Sequence, residues 1–129
     1  MAKILIVDDE DIVREYLAKL LNLYGHNVHS ASGGKSALHI FEKDPGSFDL
    51  VLTDLNMPEG DGIMLSMGVK EISAARTGKA VSVLMLTASG LSVEERARML
   101  KLGIVDAFED KPIGVGKLMS LIEEHRKYA

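Results

Sequence analysis

Three carboxylates, a hydroxyl and an ammonium stand out in this sequence by where they fall. Asp8 and Asp9 follow the apolar run 4–7, Asp54 follows the run 49–53, Thr87 follows the run 81–86, and Lys111 comes shortly after a weaker run, 104–108. Brought into one crevice, three carboxylates repel one another, and at least one must protonate unless a cation intervenes. A divalent ion relieves the conflict, and an all-oxygen site with open positions suits Mg²⁺. A charge-neutralised Asp54 at the centre is a nucleophile for phosphorus. Lys111 and Thr87 supply donors where a phosphoryl group gathers negative charge. Each residue alone also has a plain reading. An Asp pair after a strand is often a turn or a helix N-cap, a role Asp11 also suits. Residues 54–58 read equally as an ordinary loop, Thr87 as a locally satisfied strand end, and Lys111-Pro112 as a common dipeptide. The argument for chemistry is their joint placement.

That placement depends on the elements between them. The apolar runs are continuous rather than alternating, as strands buried on both faces are. A run at 26–31 is weaker. Helical stripes lie between the runs: Val13, Leu17, Leu20 and Tyr24, with Gly25 as the stop; Ala37, Leu38 and Phe41; Leu65, Val69 and Ile72. Ser92 and Glu95 form a capping box that opens a helix with Val93, Ala97 and Leu100 inward and Gly103 behind it. The last stripe is Leu118, Leu121, Ile122 and His125. A β-α unit repeated five times predicts an α/β fold, a doubly wound five-stranded parallel sheet of order 2-1-3-4-5, flavodoxin-like. In that order strands one, three, four and five are neighbours, and ligands bind outside their carboxyl ends.

The 129 residues, 47% of them apolar, fill one domain. The expectation is a single domain over 1–129 with no output domain. The net charge is −4 with both signs interspersed, so there is no basic footprint for nucleic acid. The absence of cysteine excludes disulfides, zinc thiolates and thiol catalysis. No run reaches the ~20 apolar residues of a membrane span, and a cytoplasmic protein is expected. His26, His29, His39 and His125 lack metal-ligand spacing and read as structural or solvated. Met64 and Met67 read as core or rim packing, or as a partner-facing pair. The tail 123–127 reads as a solvated helix end.

Asp8-Asp9, Asp54 with Met57-Pro58 and Asp61-Gly62, Thr87-Ala88 and Lys111-Pro112, in this order, resemble the receiver domain of two-component response regulators over essentially the whole chain. The resemblance implies that Asp54 accepts a phosphoryl group from a histidine on a sensor kinase or a phosphotransfer protein. It implies Mg²⁺ ligation by Asp9, Asp54 and the main-chain carbonyl of Asn56, with Asp8 acting partly through water. Lys111 would pair with the phosphoryl group, Thr87 would hydrogen-bond to it, and the Lys111-Pro112 peptide would be cis. Thr87 would drag the loop 88–90, Phe108 would turn inward as the switch aromatic, and the face of the fourth helix, fifth strand and fifth helix would change shape for an unknown downstream protein. Asn56 and Ser89 would govern phosphoryl lifetime. Such a domain phosphorylates and dephosphorylates only itself.

The chain departs from that pattern near its fifth strand. One extra residue lies between Gly103 and Lys111, and Glu109 stands where an apolar residue is usual. A bulge or a shifted strand end would absorb the extra residue, and Phe108 reads either as the switch or as a core aromatic. Ile113 replaces the usual aromatic after Pro112, Gly114 and Gly116 weaken the first turn of the last helix, and Gly60 loosens the loop after Asp54. Two other functions compete. Asp9-Glu10-Asp11-Ile12-Val13 matches the start of haloacid-dehalogenase-like phosphatases, which would make Asp9 the nucleophile but leaves Asp54 and Lys111 unexplained. A binding module that signals without phosphate would leave the acidic set unexplained. Glycine-rich nucleotide loops are missing, and acids after the first strand would repel a flavin phosphate.

Overall fold

The computed structural model describes residues 2–57, 60–87 and 91–126. Ten elements alternate: β1 (Lys3–Val7), α1 (Asp11–Leu23), β2 (Asn27–Ala31), α2 (Gly34–Lys43), β3 (Leu50–Asp54), α3 (Gly62–Thr77), β4 (Ser82–Thr87), α4 (Val93–Lys101), β5 (Ala107–Asp110) and α5 (Val115–His125). All five strands are parallel, in the order β2-β1-β3-β4-β5. This is the doubly wound fold expected from the apolar runs.

The continuous apolarity of the central strands follows from their two covered faces. Ile4 and Ile6 of β1 pack with Leu50, Leu52, Leu84 and Leu86 against Leu17 and Leu21 of α1 and Leu118 and Ile122 of α5. Leu5 and Val7 face the other way, with Val51, Val81 and Val83, onto Ala37 and Phe41 of α2 and Leu65 and Val69 of α3. A third, smaller cluster joins Leu55, Met85 and Val105 to Ile63, Leu91, Ile104 and Phe108. Gly25 and Gly103 follow α1 and α4 with positive φ (85° and 73°), where a side chain would be strained.

Several local expectations shift. In α1 the deeply buried residue of the last turn is Leu21, and Tyr24 is exposed, because the helix turns to cover β1 from its Leu17–Leu21 side. Asp11 is not an N-cap: Glu10 holds that position, and Asp11 is the first helical residue, paired with Arg14. The capping box of Ser92 and Glu95 forms as expected. The inward stripe of α4 does not: Val93 is 79% exposed, Leu100 is 44% exposed, and none of the nine residues of α4 is buried. Arg96 and Met99 are its half-buried residues instead, displaced by about 100° around the helix, and Arg96 reaches Phe108 and Asp110 of β5. The reason lies in β5, a short edge strand of half-buried residues that gives α4 little apolar floor.

The fifth strand itself begins at Ala107 rather than Ile104. Ahead of it Val105 is buried and Asp106 closes the sheet with its side chain. Its Oδ2 accepts from Val83 N (2.7 Å) and from Lys70 Nζ (2.6 Å), while its own N–H donates to Val83 O (2.9 Å). Met64 and Met67 stand in solvent, 68% and 54% exposed. Arg126, expected in a solvated tail, is half-buried and pairs with Glu123.

His26 ties the start of the chain to the start of β2. It is 9% exposed, and its Nδ1 accepts the N–H of Ala2 at 3.0 Å. Burial holds its pKa below 6.5, helped by the nearby Arg126 charge and opposed by Glu123. A histidine with a lowered folded pKa gives stability that is present above its unfolded value and is lost as pH falls through it. Thermal melts at stepped pH are therefore expected to show stability falling between about pH 7 and 5, and His26→Gln, which keeps an acceptor without titrating, to flatten that slope.

Candidate functional site

The strand register sets the site. Val7 is level with Thr53, Asp54 with Leu86, and Thr87 with Asp110. The backbones of Asp8 and Asp9 therefore leave β1 beside the last residue of β3, while Thr87 and Lys111 stand one and two steps further along on β4 and beyond β5. Lys111 is held there by its own N–H, which donates to Thr87 O at 2.9 Å. The next peptide, Lys111-Pro112, is cis, as expected.

Carboxylate oxygens of Asp8, Asp9 and Asp54 all lie within 4.8 Å of one another. Asp8 is 2% exposed, Asp54 is half-buried and Asp9 is open to solvent. Lys111 Nζ sits between the two inner acids, 2.6 Å from Asp8 Oδ2 and 3.6 Å from Asp54 Oδ1. Backbone donors fix the same two acids: Glu10 N–H reaches Asp8 Oδ1 at 2.9 Å, and Leu55 N–H reaches Asp54 Oδ1 at 2.8 Å. Asn56 joins Asp9, Met57 and Asp61 around the open crevice beside the cluster. Asp61 caps α3 by accepting Met64 N–H at 2.9 Å.

Burial raises the pKa of Asp54; Lys111 opposes the rise, while the Asp8 and Asp9 charges add to it. Burial alone would lower Lys111, but its hydrogen bond to Asp8 and the charges of Asp8, Asp54 and Glu10 outweigh it and raise its pKa. Lys111 thus stays charged among acids that still carry a surplus of negative charge. An all-oxygen donor set with that surplus fits a hard divalent cation.

Thr87 is buried at the end of β4. Phe108 is half-buried, packed with Met85, Val105 and Ile63. The Arg96 guanidinium stands 5.7 Å from its ring centre while pairing with Asp110 at 2.7 Å. Pro58, Ala88 and Ser89 lie outside the described residues. Two further residues support the site, Arg14, which sequence reasoning passed over, and Gly62, which it named only as part of a motif. Arg14 donates to the main-chain carbonyl of Asp8 at 2.8 Å; its only sequence signal is the (i, i+3) spacing from Asp11. Gly62 opens α3 so near β3 that a Cβ there would sit 2.2 Å from Asp54 O.

A parallel α/β sheet with an acid-rich crevice at its carboxyl ends defines a class of phosphate- and metal-handling folds. The match is closer than that. The model of the response regulator receiver domain fits residues 4–123, and the chain belongs to this family. It is 37% identical to the regulatory protein AtoC of Escherichia coli (strain K12), over 94% of this chain and 24% of that protein. It is 35% identical to the sensor histidine kinase RcsC of Salmonella typhi, over 89% of this chain and 11% of that protein. The chain thus spans a quarter or less of these relatives. A response regulator receiver domain protein from Clostridium thermocellum superposes with a TM-score of 0.85 at 29% identity, covering 97% of this chain and 94% of the other. The chemotaxis protein CheY4 of Vibrio cholerae gives 0.82 at 28%, covering 97% and 98%. Among the described residues no helix is long and apolar enough to cross a membrane.

Two outcomes test this geometry. An acid whose folded pKa is raised costs stability once pH passes its unfolded value. Asp54→Asn is therefore expected to melt higher than wild type at pH 7 without divalent ions; an unchanged or lower melting point contradicts the strained-charge account. Gly62→Ala must push the backbone of Asp54 or α3 aside. A loss of about 1–3 kcal/mol in denaturant unfolding is expected.

Proposed function

We propose that this chain is the phosphoacceptor of a two-component or phosphorelay system, with Asp54 as the residue that is phosphorylated. The observation that carries the reading is the three-carboxylate cluster with Lys111 set between Asp8 and Asp54. Asp8, Asp9, Asp54 and the main-chain carbonyl of Asn56 would hold Mg²⁺. The bound ion would offset the carboxylate charge and draw in the phosphoryl oxygens.

The donor is a phosphohistidine on a sensor kinase or a phosphotransfer protein. Leu55 N–H holds Asp54 Oδ1, and the attack falls to Oδ2. A P–O bond forms to Asp54 as the P–N bond to the imidazole breaks, and the departing nitrogen keeps the electron pair and takes a proton. Lys111 turns from Asp8 toward the arriving phosphoryl oxygens, where negative charge accumulates. Hydrolysis of the acyl phosphate by water later restores Asp54.

The output is conformational. A phosphoryl group adds nearly two negative charges and several acceptors at Asp54. The Thr87 hydroxyl moves toward them, and Phe108 moves inward on the same side. The moving face is α4, β5 and α5, and α4 is poorly anchored because it buries no residue. A hundredfold shift between two states needs only ~2.7 kcal/mol of differential stabilisation. The downstream target is a protein that binds this face, and the setting is the cytoplasm.

The direct test is the intact mass after incubation with Mg²⁺ and a small acyl-phosphate donor, or with a phosphorylated histidine phosphotransfer protein. One added phosphoryl group is expected, labile to hydroxylamine, dependent on Mg²⁺ and absent in Asp54→Asn. Label that persists in that variant would overturn the assignment.

A further inference from the structure

We infer that Arg14 is a positioning residue for the cation site: it clamps the Asp8-Asp9 peptide so that Asp9 faces Asp54, and it thereby raises the affinity for Mg²⁺. The inference rests on the receiver reading above. Arg14 lies one turn into α1, outside the carboxylate cluster, with its side chain 19% exposed. Its guanidinium uses both arms. Nη1 donates to Asp8 O at 2.8 Å, and Nη2 binds the carboxylate of Asp11. One planar fork thus joins the residue that follows β1 to the first residue of α1, and a planar, rigid fork fixes geometry where a flexible ammonium does not.

The two inner acids have further restraints. The Asp8 carboxylate is held by Glu10 N–H and by Lys111, and that of Asp54 by Leu55 N–H. Asp9 differs: it is exposed, and among the described residues no hydrogen bond or ion pair fixes its side chain. Its direction depends on its backbone. The carbonyl that Arg14 holds belongs to the peptide that supplies the Asp9 nitrogen, so fixing that plane fixes where the Asp9 side chain begins.

A purely electrostatic role predicts the opposite sign. A guanidinium beside the site repels an incoming cation, so its removal would tighten Mg²⁺ binding. Loss of positioning weakens it, and residues that orient metal ligands typically change affinity 10–100-fold. The test is calorimetric titration of the unphosphorylated chain with Mg²⁺ for wild type, Arg14→Ala and Arg14→Lys, with melting in metal-free buffer alongside. Arg14→Ala is expected to bind Mg²⁺ about tenfold more weakly, and Arg14→Lys to fall between, since an ammonium keeps the charge without the fork. Asp11→Ala, which frees one arm of Arg14, is expected to weaken binding by a smaller factor. If Arg14→Ala does not fold, Arg14→Lys and Asp11→Ala carry the test. Acyl-phosphate labelling should need more Mg²⁺ in each variant and reach the wild-type rate at saturation. Unchanged or tighter Mg²⁺ binding, with or without a lower melting point, overturns the inference. Failure of wild type to bind Mg²⁺ would instead overturn the receiver reading on which it rests.

Discussion

The ammonium of Lys111 between Asp8 and Asp54 is the contact on which this molecule turns. A parallel sheet brings its strand ends together whatever residues they carry, and here they carry three acids. Without a cation the cluster would drive protons onto itself. One lysine, kept charged by its neighbours, answers part of that charge. The remainder raises the pKa of Asp54. The site thus keeps a surplus of negative charge, which a divalent ion would offset.

Sheet register turns this electrostatic problem into a geometric one. The acids can meet only because β1 and β3 are neighbours, and Lys111 reaches them only by leaving the sheet beyond β4. Apart from Arg14, the supports are backbone groups: the N–H groups of Glu10 and Leu55, the Thr87 carbonyl and the close approach that Gly62 permits. Such supports resist distortion because no rotamer freedom is available to absorb it.

How far this was readable from the chain depended on the kind of force involved. Buried strands announce themselves because both faces must be apolar, so Ile4–Val7 and the runs ending at Asp54 and Thr87 were legible within a residue or so. The strand ends then located the acids without any model of their contacts. Where burial is partial, the pattern misled. The apolar residues of α4 suggest an inward stripe, yet they face solvent because the short edge strand beneath offers little apolar floor. The start of β5 was hidden for a related reason: Asp106 closes the sheet with a side chain, and no hydropathy pattern encodes that. Arg14 and the Arg96–Phe108 contact were equally silent, since an arginine on an exposed-looking helix has many possible partners until the fold chooses one.

The shallow seating of α4 has a meaning beyond movement. Substitutions at surface positions seldom cost more than about half a kcal/mol. A helix with no buried side chain is therefore a surface that can be rewritten almost residue by residue while the acidic crevice and the two cores stay as they are. The acidic crevice and this exposed helix are separate parts of one small fold. A domain built this way can change what its surface offers without disturbing what its crevice holds.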